Sequence, residues 1–259
     1  MTKDILQMKN APASDKVGRY EFLAEPFHCD CVGRLFLGHL GNHMLNAADF
    51  HSTARGFGMS YLQTINRAWV LSRLATEMKT MPRQNERFTV ETWVESAMRY
   101  FTSRNFHIVG ADGITIGFGR SIWAMIDTQT RQPTDIFSIG DGAINQWIEK
   151  DKPCPIEKGG HVKMPDGAEL VRSIDTYYSD VDINGHINSV KYIEHIIDLW
   201  PLEWHLGCQV LRLEIAYVAE AHGGDRLDFW RVDTGPREAD VEVRKNGAET
   251  VCRARISFI

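Results

Sequence analysis

Residues 180–192 read Asp-Val-Asp-Ile-Asn-Gly-His-Ile-Asn-Ser-Val-Lys-Tyr. Within them a carboxylate, an amide and an imidazole fall at alternate positions: Asp182, Asn184 and His186. In an extended run, alternate side chains share one side of the chain. The run leads into an apolar-periodic segment, so these groups would stand at a helix N-terminus. Backbone N–H groups there are unpaired and carry partial positive charge. Gly185 lets the chain turn closely between them. Such a set suits hydrolysis at a carbonyl: donors beside the oxygen that becomes negative in the tetrahedral intermediate, and a base for the attacking water. A plainer reading stands beside it. Asp and Asn ahead of a helix commonly cap it, and a single His beside an apolar stripe is often a structural residue.

The elements that must position these groups follow from periodicity. Ile187, Val190, Ile193, Ile197 and Trp200 mark one buried helical stripe, which Pro201 stops. Segments 210–220, 226–233, 239–245 and 249–259 then alternate as strands, with Leu211, Leu213, Ile215 and Tyr217 facing one way and Arg212 and Glu214 the other. The same series occurs earlier: a helix over roughly 38–52 that buries Leu40, Met44, Leu45, Ala48 and Phe50, then strands at 67–78, 87–98, 100–110 and 114–127. Asp112-Gly113 and Asn246-Gly247 divide the last two strands of each half, as tight hairpins require. Residues 35–49 align on 182–196, placing Gly38-His39 on Gly185-His186 at an offset of 186 − 39 = 147. Asp182 and Asn184 then fall on Leu35 and Leu37, so the first half carries no catalytic set. Residues 128–165, rich in Pro and Gly, read as a linker, with a short helix near 141–150. The pattern gives an α+β fold of two related halves, each a helix followed by about four antiparallel strands.

Composition narrows the function. The 259 residues are 43% hydrophobic and 24% charged, which is ordinary for a globular protein. A formal net charge of −5 disfavours nucleic acid as the main partner. No run of about 18 apolar residues reads as a membrane span. Residues 1–15 read as a mobile polar lead-in without the apolar core of a secretory signal, and the cytoplasm is the expected compartment. The cysteines, Cys29, Cys31, Cys154, Cys208 and Cys252, lack CxxC spacing and read as reduced packing thiols. No metal or cofactor is expected.

The run DxNxHxNxxKY resembles the catalytic segment of the acyl-acyl-carrier-protein thioesterases of plant plastids and bacteria. RAWVLSRL, VETWVES and the strand ending Tyr217-Val-Ala-Glu220 resemble that family in the same order, so the likeness covers nearly the whole chain. It implies a double hot-dog fold, with an N-terminal repeat at 16–135 housing the acyl chain, a linker at 136–165 and a catalytic C-terminal repeat at 166–259. It implies hydrolysis of fatty acyl-[acyl carrier protein], ending fatty acid synthesis. Asn184 and His186 would contact the thioester carbonyl or the water, Glu220 would be the general base, and Asp182 would orient Asn184 or hold the loop. Many plant members carry a cysteine directly after that glutamate. Here Ala221 and His222 follow, so attack by water is the expected course. Met44, Leu45, Met59, Tyr61 and Trp69 are candidates for the acyl-chain lining, and Arg172 and Lys191, with Arg99 and Arg104, for docking of the acidic carrier. A homodimer is compatible with the fold. The alternatives are an acyl-CoA thioesterase of the same fold, a non-catalytic acyl-binding module and a hot-dog dehydratase, for which the DxNxH run is ill suited.

Overall fold

The computed structural model describes residues 15–160 and 162–259. The lead-in expected over 1–15 therefore lies, apart from Asp15, outside the described residues. The first half runs β1 (Gly18–Leu23), α1 (Leu37–Thr53), α2 (Met59–Thr64), β2 (Arg67–Met78), β3 (Arg87–Ala97), β4 (Phe101–Gly110) and β5 (Thr115–Asp127). The second runs β6 (Glu169–Asp175), α3 (Ser189–Ile197), α4 (Leu202–Gly207), β7 (Val210–Tyr217), β8 (Arg226–Gly235), β9 (Glu238–Lys245) and β10 (Glu249–Phe258).

All ten strands share one antiparallel sheet in the order β1-β3-β4-β5-β2-β7-β10-β9-β8-β6. Read from either edge, the order is the same. The halves meet where β2 pairs with β7, Arg73 opposite Ala216 and Glu77 opposite Arg212. The sheet wraps α1 and α3, which pack closely at Gly41. A Cβ there would lie 3.6 Å from both Val190 and Ile193. The main core joins Leu40 and Met44 of α1 and Ile193 and Ile196 of α3 to Phe88, Phe106, Phe229 and Val241 of the sheet. This is the double hot-dog architecture.

Each half has five strands rather than four. The two that the sequence did not declare are the edges: β1 alternates over only six residues, and β6 is exposed or half-buried along its length. Helix α3 begins at Ser189, two residues after Ile187, because the Asn188 side chain accepts from Val190 N at 2.9 Å and sets the start. It ends at Ile197, and α4 begins beyond Pro201. The short helix near 141–150 is a 3₁₀ stretch over Gly140–Trp147. Ile136, Ile139 and Ile144 of the linker pack on Phe57, Leu62 and Met125 of the first half. Among the described residues no helix is long and apolar enough to cross a membrane, and the five cysteines are free thiols.

One carboxylate contributes acid sensitivity to the fold. Glu91 on β3 meets His107 at 3.0 Å, Lys152 at 2.9 Å and Arg19 at 3.1 Å. The His107 hydrogen bond, helped by Lys152 and Arg19, lowers its pKa from 4.5 to about 2. A folded-state value below the unfolded one gives stability that is complete above 4.5 and lost as pH falls toward about 2. Denaturation midpoints of the wild type and Glu91→Gln should therefore converge across that interval. Parallel curves would remove Glu91 as the cause.

Candidate active site

The segment carrying Asp182, Asn184 and His186 is a closed loop, not an extended run. Val181 and Ile187 pair across its base, Asp182 N donates to His186 O at 2.8 Å, and Gly185 N donates to Asp182 O at 3.0 Å. Gly185 makes this turn possible at φ +80°. The side chains therefore do not line up by strand alternation. Asp182 Oδ1 points into the loop and accepts from Asn184 N at 2.8 Å and from His186 N at 3.4 Å. Asn184 is exposed on the rim, its Nδ2 3.4 Å from Asp182 Oδ2. The cap of α3 is Asn188, so neither Asp182 nor Asn184 has that duty.

Glu220 lies three residues beyond the end of β7 rather than within it. Several ties fix its place. Tyr217 Oη donates to Ser189 O at 2.8 Å, fastening the strand end to the start of α3. Val218 N and Ala219 N both donate to Val251 O, and Lys245 Nζ donates to Glu220 O at 2.8 Å. The Glu220 carboxylate then spans two partners: His186 Nε2 stands 3.3 Å from Oε2, and Arg131 Nη2 donates to Oε1. His222 approaches His186 edge-on at 5.0 Å between ring centroids.

Arg131 and His222 are site residues that the motif reading did not assign. Arg131 follows β5 in the first half, 89 residues from Glu220, and nothing local announces it. His222 lies two positions past the Tyr-x-x-Glu strand, where its proximity was the available signal. Ligand-type atoms of His186, Glu220 and His222 lie within 4.8 Å of one another, as do those of Glu25, His28 and His43, so either set could hold a divalent ion.

The loop and Glu220 open into a cavity of about 690 Å³ that continues along α1 into the first half. Leu45, Met59 and Trp69 line it. Met44 and Tyr61 do not. Successive helical residues point about 100° apart, so Leu45 faces the cavity while Met44, fully buried, packs toward Phe106 and Gly119. Tyr61 is 46% exposed on α2. The walls hold polar groups that periodicity did not foretell, among them His51, Arg55 and Arg104. Burial, reinforced by both arginines, depresses His51 to about 2. Among the described residues no cysteine lines the cavity. Of the docking candidates, Arg172 contacts Asp198 at 3.5 Å, Lys191 contacts Glu194 at 2.7 Å, Arg99 contacts Asp135 at 3.1 Å, and Arg104 is buried in the cavity wall.

A second copy of the loop sits in the first half, at a register different from the sequence alignment. Asp30 Oδ1 accepts from Val32 N at 3.0 Å and Arg34 N at 2.8 Å, Gly33 has φ +76°, and α1 starts at Leu37. The offset is thus 182 − 30 = 185 − 33 = 189 − 37 = 152, not 147. The shared Gly-His pair misled the alignment, because His39 lies inside α1 and matches Lys191. Arg34 stands where His186 does. Leu35 N bonds Pro82 O just as Ile187 N bonds Ala221 O, so Met81 takes the place of Glu220. Arg34 is engaged by Asp30 at 2.9 Å and by the carbonyls of Cys208 and His205 at 3.2 and 2.6 Å. The first copy is a brace between the halves.

Two hot-dog halves sharing one sheet, with a carboxylate–imidazole pair at the mouth of a cavity, define a double hot-dog protein with a candidate active site. Residues 16–138 match the profile of the acyl-ACP thioesterase N-terminal domain and residues 164–259 that of the C-terminal domain. The chain belongs to the acyl-ACP thioesterase family. An acyl-ACP thioesterase structure from Bacteroides thetaiotaomicron is 47% identical and superposes with a TM-score of 0.88 over 96% of this chain and 100% of that one. The 12:0-ACP thioesterase of Umbellularia californica, 20% identical, shares the fold with a TM-score of 0.82 over 94% and 97%. The chloroplastic palmitoyl-acyl carrier protein thioesterase of Gossypium hirsutum is 26% identical over 173 residues, 63% of this chain and 42% of the relative. The chain thus spans under half the length of that curated relative.

Proposed function

We propose that this chain hydrolyses the thioester between a fatty acyl chain and acyl carrier protein, releasing the free fatty acid in the cytoplasm. The observation that carries this reading is the 3.3 Å contact between His186 Nε2 and Glu220 Oε2 at the mouth of an acyl-sized cavity. The acyl chain would lie along α1 with its carbonyl at the mouth. Asn184 and His186 then supply donors to the carbonyl oxygen, whose negative charge grows in the tetrahedral intermediate. Glu220 takes a proton from the attacking water. Its two oxygens offer about four acceptor sites, so contacts with His186 and Arg131 leave room for that water. Asp182 holds the loop from within. Arg172 and Lys191 are the docking residues in this reading, reached by the carrier in competition with Asp198 and Glu194.

The test compares one acyl chain on two carriers. With purified protein, kcat/KM for acyl-acyl carrier protein should exceed that for the matching acyl-CoA by about tenfold or more, roughly 1.4 kcal/mol of recognition by the carrier. The released acid is weighed by mass spectrometry. Faster turnover of acyl-CoA would reassign the substrate, and binding without release would reassign the protein as an acyl-binding module.

A further inference from the structure

The cavity wall carries charge that a plain acyl chain does not require. Arg55 and Arg104 both line it and are only 7% and 6% exposed. Among the described residues, neither makes an ion pair with a carboxylate; their partners are neutral. Arg104 donates to the hydroxyls of Thr92 at 3.1 Å and Ser52 at 2.9 Å. Arg55 donates to the carbonyls of His51, at 3.0 Å, and Asp15. Its buried Nε has no partner. A guanidinium offers five donors, so each retains unused ones. Burial lowers Arg104 only to about 10, which keeps it cationic at neutral pH. Among the described residues no carboxylate touches either guanidinium. His51 is neutral and the phenol of Tyr20 is raised by burial, while the carboxylates that attract the pair, Asp15 near Arg55 and Asp49 near Arg104, do so without direct contact, Asp49 Oδ1 accepting instead from Met59 N at 3.1 Å. Two buried cations without a directly paired counter-charge are costly to a fold, and an apolar chain end would do nothing to offset that cost.

Arg55 follows the end of α1 and Arg104 reaches it from β4, so the distance along α1 defines what reaches them. Helices α1 and α3 run antiparallel, with Gly38 against Glu194 and Gly41 against Val190 and Ile193. The start of α3, and the loop of His186 before it, therefore fall beside the region of Leu45, which lines the same cavity as Ser189. The guanidinium of Arg55 bonds His51 O and that of Arg104 bonds the Ser52 hydroxyl, six and seven helical residues beyond Leu45, roughly 9–10 Å at 1.5 Å per residue. An extended chain advances roughly 1.2 Å per bond, since three backbone bonds span 3.3–3.6 Å, so about eight carbons cover that distance.

We propose that the cavity accepts acyl chains of this length that end in a carboxylate, which Arg55 and Arg104 receive at the end remote from the thioester. The proposal rests on the thioesterase reading above and sharpens its substrate class. It involves no covalent step beyond the hydrolysis already described.

Two measurements on the full chain test it separately from that reading. The first is turnover of carrier-linked octanoyl and ω-carboxyheptanoyl thioesters, each of eight carbons. The second is calorimetric binding of the corresponding pantetheine amides, in which nitrogen replaces the thioester sulfur and hydrolysis is blocked. Charge-assisted hydrogen bonds at the chain end should make the ω-carboxy amide bind about ten- to a hundredfold more tightly than the plain one. Arg55→Gln and Arg104→Gln should each reduce that preference about tenfold. The wild-type comparison needs no variant, so a variant that fails to fold does not blunt the test. Equal or tighter binding of the plain amide by the wild type overturns the proposal, as does a carboxylate preference that survives both substitutions. If neither thioester turns over, the hydrolase reading fails, while the amide preference still decides the chain-end assignment.

Discussion

Glu220→Gln should lower kcat on acyl-acyl carrier protein by about 10³-fold, inside the 10²–10⁴ range that general bases contribute. The amide keeps the shape of the carboxylate and can still accept from Arg131 and face His186, but it cannot take a proton from water. The side chain is 37% exposed and the loop is held through main-chain ties to Val251 and Lys245, so the fold should be untouched. Steady-state kinetics with thermal denaturation on the same preparation separate the two effects: a large fall in kcat, little change in KM, and a midpoint within a few degrees of wild type. Retention of a tenth or more of the wild-type kcat would remove Glu220 as the base and leave it as the acidic partner of Arg131.

Asp182→Ala should cost about 10²-fold in kcat, the loss expected when reacting groups shift by about an ångström. Asp182 Oδ1 is the internal acceptor that orders the N–H groups of Asn184 and His186. Without it the loop loses its turn and the two side chains lose their aim at the cavity mouth. Stability should fall as well, by about 1 kcal/mol, as for other lost side-chain acceptors of backbone N–H groups. The decisive comparison is Asp182→Asn, which restores an acceptor at the same place without charge. Recovery to within a few-fold of wild type identifies a positioning residue. An Asn variant as poor as the Ala variant would mean that the carboxylate charge itself takes part in the reaction.

The parts of the fold that were legible in the sequence are those with a strong period. The helical stripe through Ile193 and the alternation of 67–78 and 210–220 reproduce α3, β2 and β7 to within a few residues, β7 ending at Tyr217. Edge strands β1 and β6 escaped because one is short and the other buries little. At 182–186 the alternation of polar types imitates a strand, whereas the geometry follows from Gly185 and from an Asp that accepts from nearby backbone N–H groups. The repeat register failed for a related reason. The Gly-His identity at offset 147 competes with the Asp30/Asp182 and Gly33/Gly185 identities at offset 152, and it is the shared turn angle and the Asp-to-backbone hydrogen bonds of the two loops that decide between them. Arg131 lay beyond reach of any local pattern, since the chain approaches Glu220 there only after the β5 loop has folded against the other half. Met44 and Leu45 show the limit of an apolar list: adjacent residues on one helix divide between solid core and cavity wall.

The seam between β2 and β7 joins the halves within a single polypeptide. Were they separate subunits, the mouth that draws Arg131 from one and Glu220 from the other would exist only in proportion to their concentration. Fusion makes the encounter intramolecular, with a local concentration fixed by the linker instead of by abundance in solution. It also freed the duplicate loop from symmetry, so that one copy could hold reactive groups while the other became a girder.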